Sequence, residues 1–428
     1  MTRPVRGPVY RAAAALVLCA VVLVQPWESI SGSPAAPRPR APVSPGAPAV
    51  LPPPSSRGGS ATSTLLMEVS TGEVLESTNP HDQHQPASLD KLMTLYLTLQ
   101  AIRTGRLTPD TNVTVSTDAW RIGRVPGSSR MFLNVGDTVT VGQLLEGLMV
   151  ASGNDAAEAL AETVGGSAER FVEEMNATAA RLGMHDTHFV TPHGLPAPGE
   201  HVSAWDMAVL ARQILLEFPD ATRYSSPQYE SYAGIRQANW NNLVFRDRRV
   251  DGLKTGHTDQ SGFSIVATAR DGDLRLIAVV LGAPTLRRRT ALAEGMLTTG
   301  FAHYTVVAVP WQTVVPGSLR VYGGTLHSIP LESARPVTVL ETRGTRGQFE
   351  VTEQITARPF APLARGQQVG MLTVRRNGQV VQTVPLLAGA AVGQTGFVGR
   401  VWGAISYAAA SLLHRHPVTS RGTYSPPS

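Results

Sequence analysis

Lysine is nearly absent from this chain. Of 37 lysine and arginine residues among 428, only Lys91 and Lys254 are lysines, and arginine fills every other basic position. Arginine supplies positive charge as well as lysine does, but its guanidinium keeps its proton in a protein, whereas a desolvated lysine can become a neutral amine and act as a base. Two positions therefore point to amine chemistry. Cysteine is scarcer still: Cys19 is the only one, inside an N-terminal apolar run. If that run is removed the mature chain has no thiol, which excludes disulfides and cysteine catalysis and suits an oxidising compartment. The run itself, from Ala12 to Val24, is too short to span a bilayer comfortably. Clustered basic charge is missing as well. The net charge is +5 and the pI near 9.6, yet the longest arginine run is Arg287-Arg288-Arg289, with no aromatic stacking pattern beside it. No nucleic-acid partner is expected. Anionic lipid or a cell-wall polymer is the better counter-charge, the plain alternative being a basic composition with no specific partner.

Arg3, Arg6 and Arg11 ahead of the apolar run mark residues 1–33 as an export signal peptide or an uncleaved signal anchor. Leu16-Val17-Leu18 lacks the small residue expected before a lipid-modified cysteine, so a lipoprotein is disfavoured. Residues 34–60, rich in Pro, Ala, Ser, Gly and Arg, read as a semi-extended tether. A mixed α and β domain is expected over 61–304. It opens with a hairpin, Thr64–Val69 and Glu73–Glu76 about Ser70-Thr71-Gly72, followed by a helix starting at Ser88. Further helical patterns cover 141–151, 155–163, 168–182 and 203–218, and a closing helix covers 289–301. Strands at 263–269 and 274–281 are joined through Asp271-Gly272, so at least part of the sheet is antiparallel. Over 305–390 short β-rich runs predict a small all-β domain, with Asn377-Gly378 as its clearest hairpin turn. Residues 397–416 carry Trp402, Ile405, Ala409 and Leu412 at helical spacing, an amphipathic helix able to lie in a membrane interface or dock on the β domain. Residues 417–428 are expected to be a polar tail. The fold class is α+β.

Both lysines stand in suggestive company: Ser88-Leu89-Asp90-Lys91 and Lys254-Thr255-Gly256, with Ser152-Gly153-Asn154 between them. A serine three residues before a lysine on a helix shares its face, so the amine can reach the hydroxyl. The pair is a nucleophile with its base, provided that burial and a nearby cation lower the lysine from its unperturbed pKa of ~10.4. Lys254 is the expected cation. Asp90 should point away from Ser88 and favour the first helical turn. Ser152 offers a hydroxyl for proton relay, and Asn154 an amide to hold a peptide bond. Lys254 to Thr258 is expected on an edge strand, where Gly256 lets substrate backbone approach. The N–H groups of Ser88 and His257 are the expected oxyanion hole, His257 acting through its amide.

At these residues the chain resembles the low-molecular-mass penicillin-binding proteins, in particular the D-alanyl-D-alanine carboxypeptidases of the serine peptidase group. The likeness extends through Pro86–Thr94, Ser152–Ala156, Thr191-Pro192-His193-Gly194-Leu195, Ser203–Ala208 and Asp251–Thr258, in family order. It covers about Thr64 to Phe301, and the β domain and last helix look like the family's second domain and membrane anchor. Asp90 stands where relatives usually have Thr, and Pro284 departs from a position often basic nearby; neither removes a catalytic group. The resemblance implies a penicillin-binding/β-lactamase-like catalytic domain. It implies Ser88 as nucleophile, Lys91 as general base and Ser152 as relay, with Asn154 and Lys254 orienting the peptide. Thr255, Gly256, His257 and Thr258 would line the substrate, and Arg289 would hold its terminal carboxylate. The implied partners are the peptidoglycan stem peptide and, as covalent inhibitors, β-lactams; no cofactor is implied. The implied location is the periplasm or the outer face of the cytoplasmic membrane.

A D,D-endopeptidase cutting peptidoglycan crosslinks needs the same groups and is the nearest rival. A class A β-lactamase would carry a deacylating glutamate segment that is not found between Ser152 and Lys254, and an inactive wall-binding module would not need the two lysines. His81-Asp82-Gln83-His84 and His414-Arg415-His416 have conceivable metal-ligand spacing but are expected to be solvated histidines.

Overall fold

The computed structural model describes residues 62–426 apart from 346, 356–358 and 414–418. The expected export segment, the tether, Cys19 and the His414-Arg415-His416 cluster lie outside the described residues.

Strand β1 (Ser63–Glu68) turns back into β2 (Val74–Thr78), and Gly72 takes the left-handed conformation at the turn. The Glu68 carboxylate organises that turn by accepting from the backbone N–H groups of Ser70 and Thr71 and from the Thr71 hydroxyl at 2.6 Å. A 3-10 turn (Ala87–Asp90) leads into α1 (Lys91–Arg103). The middle of the chain supplies β3 (Asn112–Thr114), α2 (Thr117–Gly123), β4 (Thr138–Thr140), α3 (Val141–Met149), α4 (Asn154–Gly165), α5 (Ala168–Leu182) and α6 (Ala204–Glu217). It also contains the hairpin β5 (Tyr229–Tyr232) and β6 (Ile235–Ala238). Then come β7 (Val250–Thr258), β8 (Gly262–Asp271), β9 (Leu274–Ala283) and α7 (Leu286–His303).

The main sheet runs β2-β1-β9-β8-β7, antiparallel throughout. Strand β9 is apolar at nearly every position because helices cover both faces. Ile277, Val279 and Leu281 enter the core that includes α1 and α6, while Leu276, Ala278 and Val280 enter the one that includes α7. Burial of a leucine or valine at such a position stabilises the fold by about 1.5–3 kcal/mol. Helix α1 is buried over most of its length and so shows little amphipathicity. Strand β7 is left at the sheet edge with free backbone groups, as expected for Lys254 to Thr258.

The second part begins with β10 (Tyr304–Ala308), α8 (Trp311–Val314), β11 (Ser318–Arg320), β12 (Ser328–Ser333) and β13 (Thr338–Thr342). It continues through β14 (Phe349–Ile355), β15 (Gln368–Arg376), β16 (Gln379–Ala388), α9 (Phe397–Leu413) and β17 (Thr419–Tyr424). Strands β10 and β13 pair, and a six-stranded sheet runs β11-β12-β16-β15-β14-β17. Asn377 and Gly378, at φ 50 and 80, make the tight turn expected between β15 and β16. Helix α9 exposes Phe397, Val398 and Trp402, while Tyr407 packs edge-on against Tyr322 and Phe360. No helix among the described residues is long and apolar enough to cross a membrane.

The expected polar tail is corrected by β17, which pairs with β14 from Gln354↔Thr419 to Phe349↔Tyr424. Its residues, Thr-Ser-Arg-Gly-Thr-Tyr, lack apolar alternation, since an edge strand is held chiefly by its backbone ladder. Gly422 is required there: a Cβ would stand 2.3 Å from the Val314 carbonyl oxygen.

Candidate active site

Ser88 lies in the 3-10 turn rather than in the α-helix expected to start there. Residues i and i+3 eclipse in that geometry, which brings Ser88 and Lys91 into line. Lys91 Nζ is 2.9 Å from Ser88 Oγ, 2.5 Å from Asn154 Oδ1 and 2.6 Å from the carbonyl oxygen of His193. The last two partners can only accept. A neutral amine has two N–H bonds and one lone pair, so donating to both oxygens leaves the lone pair directed at the serine hydroxyl. Lys91 is fully buried, and burial pushes its pKa down to about 7 against the opposing pull of Asp90, Asp155 and Glu200. Burial is the larger of the two expected causes, and the repulsion between the two buried amines falls on Lys254.

The turn is clamped from two sides. Gly256 on β7 sits so close that a Cβ would be 2.8 Å from Pro86 O and 3.3 Å from Ser88 N. Gly194, at φ +78, is closer still: a Cβ would be 1.7 Å from Ala87 O. Ala87 itself is left-handed at φ 49, a conformation costing an alanine roughly 1–2 kcal/mol, and the clamp holds it there. The 191–194 segment is tied down in turn. Pro192 O accepts from Thr94 Oγ1 at 2.6 Å, Thr191 Oγ1 accepts from Gly194 N at 2.8 Å, and Thr191 N and Oγ1 each donate to Glu200 Oε1 at 3.0 Å.

Ser152 lies in the connection between α3 and α4 and Asn154 is the first residue of α4, both buried, with Ser152 left-handed at φ 59. Asn154 Nδ2 donates to Ser128 Oγ at 2.7 Å, which fixes the amide so that its oxygen faces Lys91. Asp155 accepts from Met131 N at 2.8 Å and from Leu133 N at 3.1 Å, bracing this wall from behind.

On β7, Lys254 is buried and donates to Thr255 O at 3.1 Å. Burial pushes its pKa well down, and the charges of Lys91 and Arg289 push it the same way. Arg289, in the first turns of α7, is also buried, and its Nε and Nη2 have no hydrogen-bond partner among the described residues. Burial lowers it to about 10. Neither Lys254 nor Arg289 has a carboxylate partner among the described residues, a setting that suits an anion. Thr255 is buried beside Lys254, Thr258 bonds Ser261 through its N–H and hydroxyl, and the His257 ring stacks on Phe263 at 3.9 Å between centroids.

The expectation for Asp90 is corrected. It is fully buried, its side chain makes no capping bond to the helix start, and its pKa is raised well above the usual range by burial and by Glu200. His193, Gly194 and Glu200 gave no sign of their roles in the sequence. A carbonyl oxygen carries no side-chain signal, and Gly194 is intelligible only once Ala87 is seen against it. The paired histidines go elsewhere: His81 bonds Asp186 at 2.8 Å and stacks on Trp205, and His84 bonds Ser63 at 2.8 Å.

An antiparallel sheet with helices on both faces, a serine hydroxyl against a buried lysine amine, and a cationic edge strand together define the penicillin-recognising class. The comparisons agree. The D-alanyl-D-alanine carboxypeptidase family matches residues 53–285, and the C-terminal domain of penicillin-binding protein 5 matches 312–394. D-alanyl-D-alanine carboxypeptidase DacD of Escherichia coli (strain K12) is 39% identical over 345 residues, 80% of this chain and 89% of that protein. Penicillin binding protein 5 from Haemophilus influenzae superposes with a TM-score of 0.62 at 33% identity, covering 81% of this chain and 100% of its own. Penicillin-Binding Protein D2 from Listeria monocytogenes, in its ampicillin-bound form, matches 58% of this chain and 100% of its own at 29% identity and a TM-score of 0.51. The chain belongs to the D-alanyl-D-alanine carboxypeptidase family.

Proposed function

We propose that this chain is a serine-type D-alanyl-D-alanine carboxypeptidase that removes the terminal D-alanine from peptidoglycan stem pentapeptides through an acyl-enzyme on Ser88. The observation that carries the reading is the set of three contacts at Lys91 Nζ: two partners can only accept, so the neutral amine keeps its lone pair for the proton of the Ser88 hydroxyl. Lys91 takes the Ser88 proton as the oxygen attacks the penultimate carbonyl carbon. The N–H groups of Ser88 and His257 receive the oxyanion, and donors of this kind are worth about 10²–10³ in rate. The C–N bond breaks as the amine of the leaving D-alanine takes a proton relayed by Ser152. Water then hydrolyses the ester, with Lys91 again as base.

The substrate's terminal carboxylate fits Lys254, Thr255 and the two unpartnered nitrogens of Arg289. Its arrival has an electrostatic consequence. A bound carboxylate supplies the counter-charge that Lys254 lacks, favours the ammonium form there, and thereby disfavours a second charge on Lys91. Substrate binding thus helps keep the base neutral. Asn154 and the β7 edge, opened by Gly256, hold the peptide backbone, and Thr258 closes the substrate-lining segment. β-Lactams acylate the same serine. The export signal supports a location outside the cytoplasmic membrane, and the exposed apolar side chains of α9 suit peripheral contact with a lipid surface.

The test is acylation by labelled penicillin together with D-alanine release from a stem pentapeptide. The wild type should form a covalent adduct and release D-alanine, and Ser88→Ala should do neither. Equal labelling of both would remove Ser88 from the mechanism.

A further inference from the structure

Trp240 is 59% exposed, although its polar atom and both its chain neighbours are fixed. Its indole Nε1 donates to Ala151 O at 3.2 Å, the carbonyl immediately before Ser152. Asn239, buried, donates to Ser225 O and Pro227 O, each at 2.9 Å, and accepts from Asn241 N through its own Oδ1. Asn241, also buried, donates to Gly252 O at 3.1 Å, two residues ahead of Lys254 on β7. Asn242 Oδ1 accepts from Thr290 Oγ1 at 3.1 Å, and Thr290 follows Arg289 on α7. One short segment is therefore bonded to the Ser152 wall, to the start of β7 and to the helix that carries Arg289. The alternation of inward Asn239, outward Trp240 and inward Asn241 leaves the large ring as the part of the segment turned to solvent.

These attachments tie the segment that carries the ring to the first half of β7 and to α7, the elements that bear Lys254 and Arg289. Lys254 and Arg289 mark the end that takes the terminal carboxylate, and that carboxylate belongs to the residue that leaves. The opposite, acyl end of β7 runs on towards Thr258. An aromatic side chain whose backbone is pinned loses little freedom when a ligand packs on it, which makes it an effective wall.

Resting on the carboxypeptidase reading, we propose that Trp240 is the wall of the leaving-group end of the cleft and that its bulk sets the size of the residue released. Alanine, a methyl on the α-carbon, fits between the ring and the cation pair. A larger side chain, or a leaving group that continues beyond the carboxylate as in a crosslinked peptide, must displace the ring and its bond to Ala151. The Ala151 bond is a positioning contact and takes no part in proton transfer.

The experiment uses the full chain and N-acylated D-alanyl-D-Xaa dipeptides in which Xaa is Ala, Leu or Phe, with kcat/KM read from release of the D-amino acid. The wild type should lose on the order of tenfold or more from Ala to Phe, and Trp240→Ala should flatten that series. Trp240→Phe, which keeps a ring but lacks the indole N–H, should retain most of the discrimination. An unselective wild type, an alanine variant with the wild-type size dependence, an equal loss on all three substrates, or a phenylalanine variant as permissive as the alanine one would each overturn the proposal. A wild type that releases no D-amino acid from any of them would instead overturn the carboxypeptidase reading itself.

Discussion

The two ends of this chain obey local rules to different degrees. In the C-terminal sheet the Asn377-Gly378 turn joins β15 to β16, Leu372 and Val374 take the inward positions of an alternating strand, and the buried residues form one apolar cluster. Around Ser88 the rules are broken repeatedly within a small volume. Ala87 and Ser152 are left-handed without being glycine, Lys91, Lys254 and Arg289 are buried, and Gly194 is pressed against backbone. Local conflict of this kind costs stability and persists where the surroundings over-determine it. The difference sets the region proposed for catalysis apart from the C-terminal sheet on physical grounds.

Lys91→Arg keeps the charge and removes the base; acylation by labelled penicillin should fall by about 10⁴-fold or more. An active arginine variant would overturn the base assignment. Arg289→Ala should reduce turnover of substrates with a free terminal carboxylate by on the order of a hundredfold and that of the corresponding esters much less. Equal losses would take the carboxylate away from Arg289. Because Lys91 titrates near 7 and only its neutral form accepts a proton, the acylation rate should climb with pH through about 7 and fall about tenfold for each unit below it. A rate flat from about pH 5 to about pH 8, a window spanning the value above, would show that another group is the base.

The smallest effects sharpen the contrast between the two regions. Gly194→Ala and Gly378→Ala both force alanine into a left-handed conformation, costing about 1–2 kcal/mol each. Only the first also drives a Cβ into backbone, since nothing lies within 4 Å of one at Gly378. Denaturant midpoints should fall further for Gly194→Ala, with loss of penicillin acylation, while Gly378→Ala should acylate normally.

Much of this was legible in the residues. Helix α5 starts and stops where expected because Ser167 caps it, accepting from Arg170 N, and Gly183 ends it at φ 76. The edge position of β7 followed from its place before the strand pair. What escaped was carried by backbone or by burial. His193 acts through a carbonyl, Asp90 looks like an ordinary helix-start acid until it is seen buried, and β17 has too polar a composition to announce a strand. The degree of desolvation at Lys91 is likewise a property of the packed structure and not of neighbouring letters.

The burial of both lysines has a practical corollary. Reagents that modify primary amines, including common cross-linkers and fluorescent esters, will find no lysine on the exterior of the folded chain, since Lys91 and Lys254 are 0% and 1% accessible. Apart from the chain terminus, any uptake of such a label would report that the cleft had come open, which makes the chemistry of labelling a direct gauge of its integrity.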